Sequence, residues 1–140
     1  MDRLNKIIEM IDILSDEFYR LKNNICLPYD LSAIQTTIIL DIYKNPNETK
    51  ITDICKRLKK STNSISPLIN RLVDKGFLYK YNDPSDKRIF KVGLTEKSKS
   101  ITSQIRTDVE DYTLPIAEEL TEAEISEIEN SLELLIKAVF

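Results

Sequence analysis

Apolar side chains recur through residues 3–25 at Leu4, Ile7, Ile11, Leu14, Phe18, Leu21 and Ile25. The steps alternate between three and four, which places them on one narrow stripe of a long amphipathic helix. The same spacing returns near the other end at Ile125, Ile128, Leu132, Leu135 and Val139, after the capping-box start Thr121-Glu-Ala-Glu124. Between them, Ile101, Ile105, Val109, Tyr112, Ile116 and Leu120 predict a third long helix over residues 97–120, bent at Pro115. A chain of 140 residues has little use for narrow seams at both ends unless they meet each other or a second copy. Leu4, Ile7, Ile11 and Leu14, with Ile125, Ile128, Leu132, Leu135 and Val139, are therefore the expected dimerisation residues. A plain monomeric bundle is the simpler alternative.

The middle of the chain breaks into shorter pieces. Leu31-Ser32-Ala33-Ile34-Gln35 opens a helix with a capping box, its inward face formed by Ile34, Ile38, Ile39 and Ile42 up to the Asn45-Pro46 break. Thr52 is the expected cap of a second short helix with Ile54, Cys55 and Leu58 inward. After a turn near residues 59–61, a third helix turns Ile65, Leu68, Ile69, Leu72 and Val73 inward and stops at Gly76, expected in the left-handed region. Two strands, 77–81 and 89–94, then flank a charged turn at 82–88, and Thr95-Glu-Lys begins the next helix. Helix, turn, helix and hairpin in this order make a winged helix-turn-helix. A polar-faced helix suits a DNA major groove, and a basic hairpin beside it can reach the backbone or minor groove.

Charge sharpens this reading. Residues 50–100 hold 13 Lys/Arg against 5 Asp/Glu, a net +8, while the remainder carries 7 basic and 18 acidic residues, a net −11. A basic centre between acidic ends suits a domain that grips phosphates in its middle and keeps DNA off its other surfaces. Chance segregation of solvated charge is the bland alternative.

With the inward positions removed, the third helix presents Asn63, Ser64, Ser66, Pro67, Asn70 and Arg71, preceded by Ser61 and Thr62. Short hydroxyl and amide side chains permit close approach to base edges, and helix N-terminal N–H groups suit phosphate. Equally, Ser61, Thr62 and Ser64 can serve only as caps with the others solvated. Pro67 adds a second ambiguity, since local rules would cap a helix at Ser66 and place Pro67 at its first position. In the turn, Asp83-Pro84 sets the bend. Asp86 lies two residues from Arg88 and can steady its guanidinium, presenting Arg88 and neighbouring Lys87 to DNA; an ordered arginine suits a narrow minor groove.

These residues, from LSAIQ through LVDKGFLYKYNDPSDKRIFKVGLTEKSKSI, resemble the MarR family of bacterial transcription regulators over nearly the whole chain. The family's wing pattern, D-P-x-D-x-R-x-x-x-V-x-L-T-x-K, matches Asp83, Pro84, Asp86, Arg88, Val92, Leu94, Thr95 and Lys97. The resemblance implies a mainly α protein with a small β-wing: a winged helix-turn-helix lobe over 31–96 and a dimerisation lobe from 1–30 and 97–140. It also implies one recognition helix over 62–75 with Pro67 inside. Many members carry arginine at the Pro67 position, so one DNA donor is missing here. Ser/Thr-Pro is similar to a branch that includes peroxide sensors. Ser98 replaces a usual glycine, a change expected to matter little.

The implied partners are a double-stranded DNA operator with pseudo-palindromic half-sites, a second copy of the chain, and a small aromatic or anionic effector in a cleft beside the dimer layer. Tyr19, Tyr29 and Tyr43 are its candidate lining, or else partly buried core tyrosines. No metal or cofactor is expected: the chain has no histidine, two glycines and no Gly-rich loop, and Cys26 and Cys55 lie 29 positions apart. The acidic C-terminal helix reads as a solvated face, so an enzyme is not expected. No run of roughly 18 apolar residues is present, and a cytoplasmic protein is expected. Redox control through Cys26, expected near the surface, and a winged-helix association module without DNA binding are the competing readings; Cys55 is expected to be buried and inert.

Overall fold

The computed structural model describes residues 1–140. In chain order it has α1 (Asp2–Cys26), a 3-10 turn (Leu27–Tyr29), α2 (Ala33–Lys44), α3 (Ile51–Leu58) and α4 (Thr62–Asp74). β1 (Leu78–Asn82), β2 (Phe90–Leu94), α5 (Glu96–Glu118) and α6 (Glu122–Val139) follow. The chain divides within α5 into two compact units, Met1–Ile105 and Arg106–Phe140. No single helix is long and apolar enough to cross a membrane.

The first unit is organised on an aliphatic core in which Ile38, Ile39, Ile42, Ile54, Ile65, Ile69, Leu72, Phe77, Leu78 and Val92 are each at most 2% exposed. The start of α2 is specified locally. Ser32 accepts the Gln35 N–H at 3.2 Å while its own N–H donates to the Gln35 side chain at 3.0 Å, closing the expected capping box. Ile34 is only half-buried, and Gln35 and Thr36 turn into the core instead. α3 begins one residue before Thr52, with Lys50 as its cap, so Thr52 is a helical residue and not the cap. The reason is non-local: Thr49 and Lys50 run extended beside β2, with the Val92 N–H donating to the Thr49 carbonyl at 3.1 Å and Lys50 bridging Lys91.

α4 ends in a Schellman turn. Phe77 N–H donates to the Leu72 carbonyl at 2.8 Å and Gly76 N–H to Val73 at 3.0 Å, with Gly76 at φ +82°. Leu72 and Phe77, the apolar pair of such a turn, are both buried. The chain then enters an antiparallel hairpin with Leu78 opposite Leu94, Tyr79 opposite Gly93 and Asn82 opposite Phe90. Where the hairpin returns to α5, Thr95 donates its hydroxyl to the Gly76 carbonyl at 2.7 Å and accepts the Ser98 N–H at 3.3 Å. Ser98 is fully buried and its hydroxyl donates to the Phe77 carbonyl, so this departure from glycine ties α5 to the start of the wing.

The long helices have the expected extents, and α5 continues through Pro115. Along α1, only Cys26 is buried; Leu4, Ile7, Leu14 and Phe18 are 43–54% exposed and Ile11 is half-buried. In the second unit, Thr121 caps α6 by accepting the Glu124 N–H at 3.1 Å, and Glu124 returns a contact to the Thr121 hydroxyl at 3.0 Å. α6 has no buried residue: Ile128, Leu132 and Val139 are 46–65% exposed, while Ile125 and Leu135 are half-buried.

Candidate nucleic-acid interface

Two helices and a hairpin of the first unit carry the basic centre. α3 is held to α2 by Arg57, whose Nε lies 2.9 Å from Asp41 Oδ1 and whose Nη2 lies 2.8 Å from Oδ2. Both side chains are largely buried, and this contact raises the arginine pKa further. α3 ends at Lys59, a non-glycine residue in the left-handed region (φ 54°), and Lys60 N–H closes back on the Cys55 carbonyl at 3.0 Å. This tight turn delivers Ser61 to cap α4, accepting the Ser64 N–H at 3.2 Å. The Ser66 cap permitted by local rules does not form; Pro67 lies inside a helix of 13 residues.

On α4, Thr62, Asn63, Ser64, Pro67, Asn70 and Arg71 are exposed, Ser66 is half-buried, and Ile65, Ile69 and Leu72 face the core. The polar face is thus continuous on one side. Ser61 and Ser64 are also engaged with each other, their hydroxyls 2.9 Å apart, and both remain exposed while Ser61 caps the helix. Asn70 accepts a hydrogen bond from Lys80 Nζ at 2.5 Å, joining the helix to β1. Sequence reasoning missed Lys80; its place on the strand was legible, but its reach to α4 depends on the angle of the hairpin.

The wing turn is organised by two carboxylates. Asp83 is 8% exposed; it accepts the Ser85 N–H at 2.8 Å and the Ser85 hydroxyl at 2.5 Å, and pairs with Lys91 at 3.1 Å. The Ser85 bonds, then Lys91, hold its pKa well below the usual carboxylate range. Asp86 accepts from the Arg88 backbone N–H at 3.0 Å and from its Nε and Nη2 at 3.2 Å each. The arginine contact lowers the Asp86 pKa. Arg88 is therefore oriented while its side chain is 91% exposed, and Lys87 is exposed next to it.

The three candidate effector tyrosines lie on three different elements, α1, the 3-10 turn and α2. Tyr19 is exposed on α1, and Tyr29 packs against the core beside the 3-10 turn. Tyr43 borders a cavity together with Tyr79 and Tyr81 of β1. Cys26 is not near the surface: it is 1% exposed, accepts the Thr36 hydroxyl at 2.9 Å, and burial pushes its thiol pKa up. The end of α1 rolls onto α2 through the 3-10 turn, which hides it. Cys55 is buried as expected.

The MarR family model matches residues 31–90, the span that holds α2 to the wing. This segment is similar to the MarR family. No curated protein matches it in sequence. Among solved structures, a Staphylococcus aureus MepR–DNA complex is 19% identical with a TM-score of 0.84, over 93% of this chain and 96% of that one. An Escherichia coli MarR mutant complexed with operator DNA is 24% identical with a TM-score of 0.81, over 95% of each. A MarR-like transcription regulator from Bacillus cereus is 17% identical with a TM-score of 0.84, over the whole of both chains. At these identities the likeness establishes the fold: the chain is folded as a winged helix-turn-helix protein flanked by N- and C-terminal helices.

Proposed function

We propose that this chain is a MarR-family transcription regulator, a homodimeric repressor that binds a pseudo-palindromic operator and is released by a small ligand. In this reading residues 31–96 are the DNA-binding lobe, and 1–30 with 97–140 the dimerisation lobe. The observation that carries it is the oriented, exposed Arg88 on the same unit as the polar face of α4. Ser61, Thr62, Asn63, Ser64, Ser66, Asn70 and Arg71 meet the major groove and its flanking phosphates. Lys87 and Arg88 meet the backbone and minor groove, with Asp86 holding Arg88. Two similar structures are DNA complexes, which supports this assignment. DNA as partner makes the protein cytoplasmic.

The apolar stripes of α1 and α6, unburied in a single chain, support a dimer. Two recognition helices would then address half-sites about 34–36 Å apart, one helical turn. The buried, raised-pKa Cys26 counts against redox control. Binding to the promoter of its own transcription unit in a gel shift, with affinity falling steeply as salt rises, is the test. A flat dependence of log affinity on log salt would instead favour protein–protein association without DNA.

A further inference from the structure

The chain passes between the two lobes proposed above twice, after residue 30 and after residue 96. Both crossings are tied to one residue, Lys75, the C-cap of α4. Its ammonium donates to the Asp30 carbonyl at 2.8 Å and lies 3.4 Å from the Asp30 carboxylate. Asp30, in the left-handed region at φ 56°, closes the 3-10 turn that follows α1. The Lys75 carbonyl accepts from Lys97 Nζ at 3.0 Å, and that ammonium stands 4.3 Å from the centroid of the buried Phe77 ring. The next two carbonyls are held from the same end of α5: Gly76 accepts from the Thr95 hydroxyl, and Phe77 from the Ser98 hydroxyl. Successive acceptors at the exit of α4 are thus taken by side chains at the start of α5.

We infer that Lys75 and Lys97 are positioning residues that fix the angle of α4 against α1 and the start of α5, and so select the spacing of operator half-sites. Ile65, Ile69 and Leu72 seat α4 in the core. Cys26, Tyr29 and Ile101 add apolar contacts across the lobe boundary, and such contacts have no direction of their own. Hydrogen bonds do, and a cation on the last carbonyls of a helix is further favoured by its dipole. Ordering a long lysine costs side-chain entropy, which the aromatic ring under Lys97 partly offsets. Small angles matter because α4 is a lever. Its 13 residues span about 20 Å, so a tilt of about 10° at Lys75 moves the Ser61 end by about 3.4 Å, the rise of one base pair. Spacing selection rests on the DNA-binding reading above; the positioning itself does not.

Lys75→Met and Lys97→Met, both at exposed positions, remove the ammonium and keep a long side chain. A nitroxide on Asn63→Cys reports the distance between the two α4 helices of the dimer by double electron–electron resonance without DNA, since both native cysteines are buried. The labelled parent should give one narrow distribution, and each variant one shifted or broadened by about 3 Å or more. Lys97→Arg, which keeps a donor and a charge, should restore the parent distribution. Fluorescence anisotropy then compares the promoter duplex retained in the gel shift with duplexes carrying one base pair more or fewer at its centre. The unsubstituted chain should favour its own spacing by about tenfold, the contribution of one base contact, and each variant by less than about threefold. The slope of log affinity against log salt should not change; a slope flatter by about 1.8 makes the lysine a phosphate contact and overturns the positioning. Equal weakening on all three duplexes overturns the spacing selection. An unaltered distance distribution or a monomeric chain overturns the positioning. A shifted distribution with no promoter duplex bound refutes the DNA-binding reading, and the spacing with it, and leaves the positioning standing.

Discussion

Asp86→Ala pits simple electrostatics against positioning. Removing a carboxylate from a DNA-facing wing raises the local positive charge, and Coulomb attraction alone predicts tighter binding. The structure predicts the reverse, because Asp86 holds both the Arg88 backbone at 3.0 Å and its guanidinium at two points 3.2 Å away. Freed, a side chain already 91% exposed must be ordered again at each binding event. Arg88→Ala sets the scale: roughly 1–3 kcal/mol per well-ordered contact, or about five- to 150-fold in affinity. With one Arg88 in each protomer, it should also flatten the slope of log affinity against log salt by about 1.8, from about 0.9 per lost phosphate contact. Asp86→Ala should weaken binding and leave most of that slope, since the cation remains; Asp86→Asn, retaining one acceptor, should fall between. Fluorescence anisotropy on a fixed operator from 50 to 200 mM salt (about the range over which such slopes are read) measures both quantities. Tighter binding by Asp86→Ala, or an unchanged slope for Arg88→Ala, refutes the positioning argument.

Light scattering should give a dimer at micromolar concentration, and Leu132→Asp with Leu135→Asp should dissociate or unfold it; a monomeric wild type rules the dimer out. Arg57→Ala leaves the Asp41 carboxylate, 9% exposed, without its partner, and should cost on the order of 3 kcal/mol in urea unfolding. A loss below about 1 kcal/mol would make the pair no stronger than a surface bridge. The depressed Asp83 pKa stabilises the fold above the ordinary carboxylate value of about 3.9, and that contribution disappears as pH falls toward the lower folded value. The stability gap between wild type and Asp83→Asn should therefore be constant near neutrality and shrink below about pH 4; a gap that persists in acid contradicts this. Asn70→Ala should change the ranking of operator variants, and Lys80→Ala should change it in the same direction, as measured on a small operator panel.

The parts of this fold that were legible in the sequence are those fixed by neighbours a few residues apart. The Ser32 capping box, the Thr121 cap, the Gly76 stop and the a/d stripes belong to that class. The start of α3 was misread because Thr49 and Lys50 answer to β2, some forty residues later, and Cys26 because its burial depends on the approach of α2. The lie of the Tyr79 ring over Gly93 likewise depends on the register of β2 against β1, which local sequence does not encode. On α4 the outward set followed from removing the apolar positions, and only the half-buried Ser66 departs from it. Whether one helix ran through Pro67 was undecided by local rules and rested on the resemblance.

That proline also changes what α4 offers to bases. Proline has no backbone N–H, so the carbonyl of Asn63, four residues earlier, loses its helical donor. Asn63 and Pro67 are both exposed on α4. Where an arginine at position 67 would seek the acceptors of guanine, this helix offers a ring with neither donor nor charge. Base selection along this face is therefore expected to fall to Asn63, Ser64 and Asn70, and to be weakest at the base pair opposite Pro67.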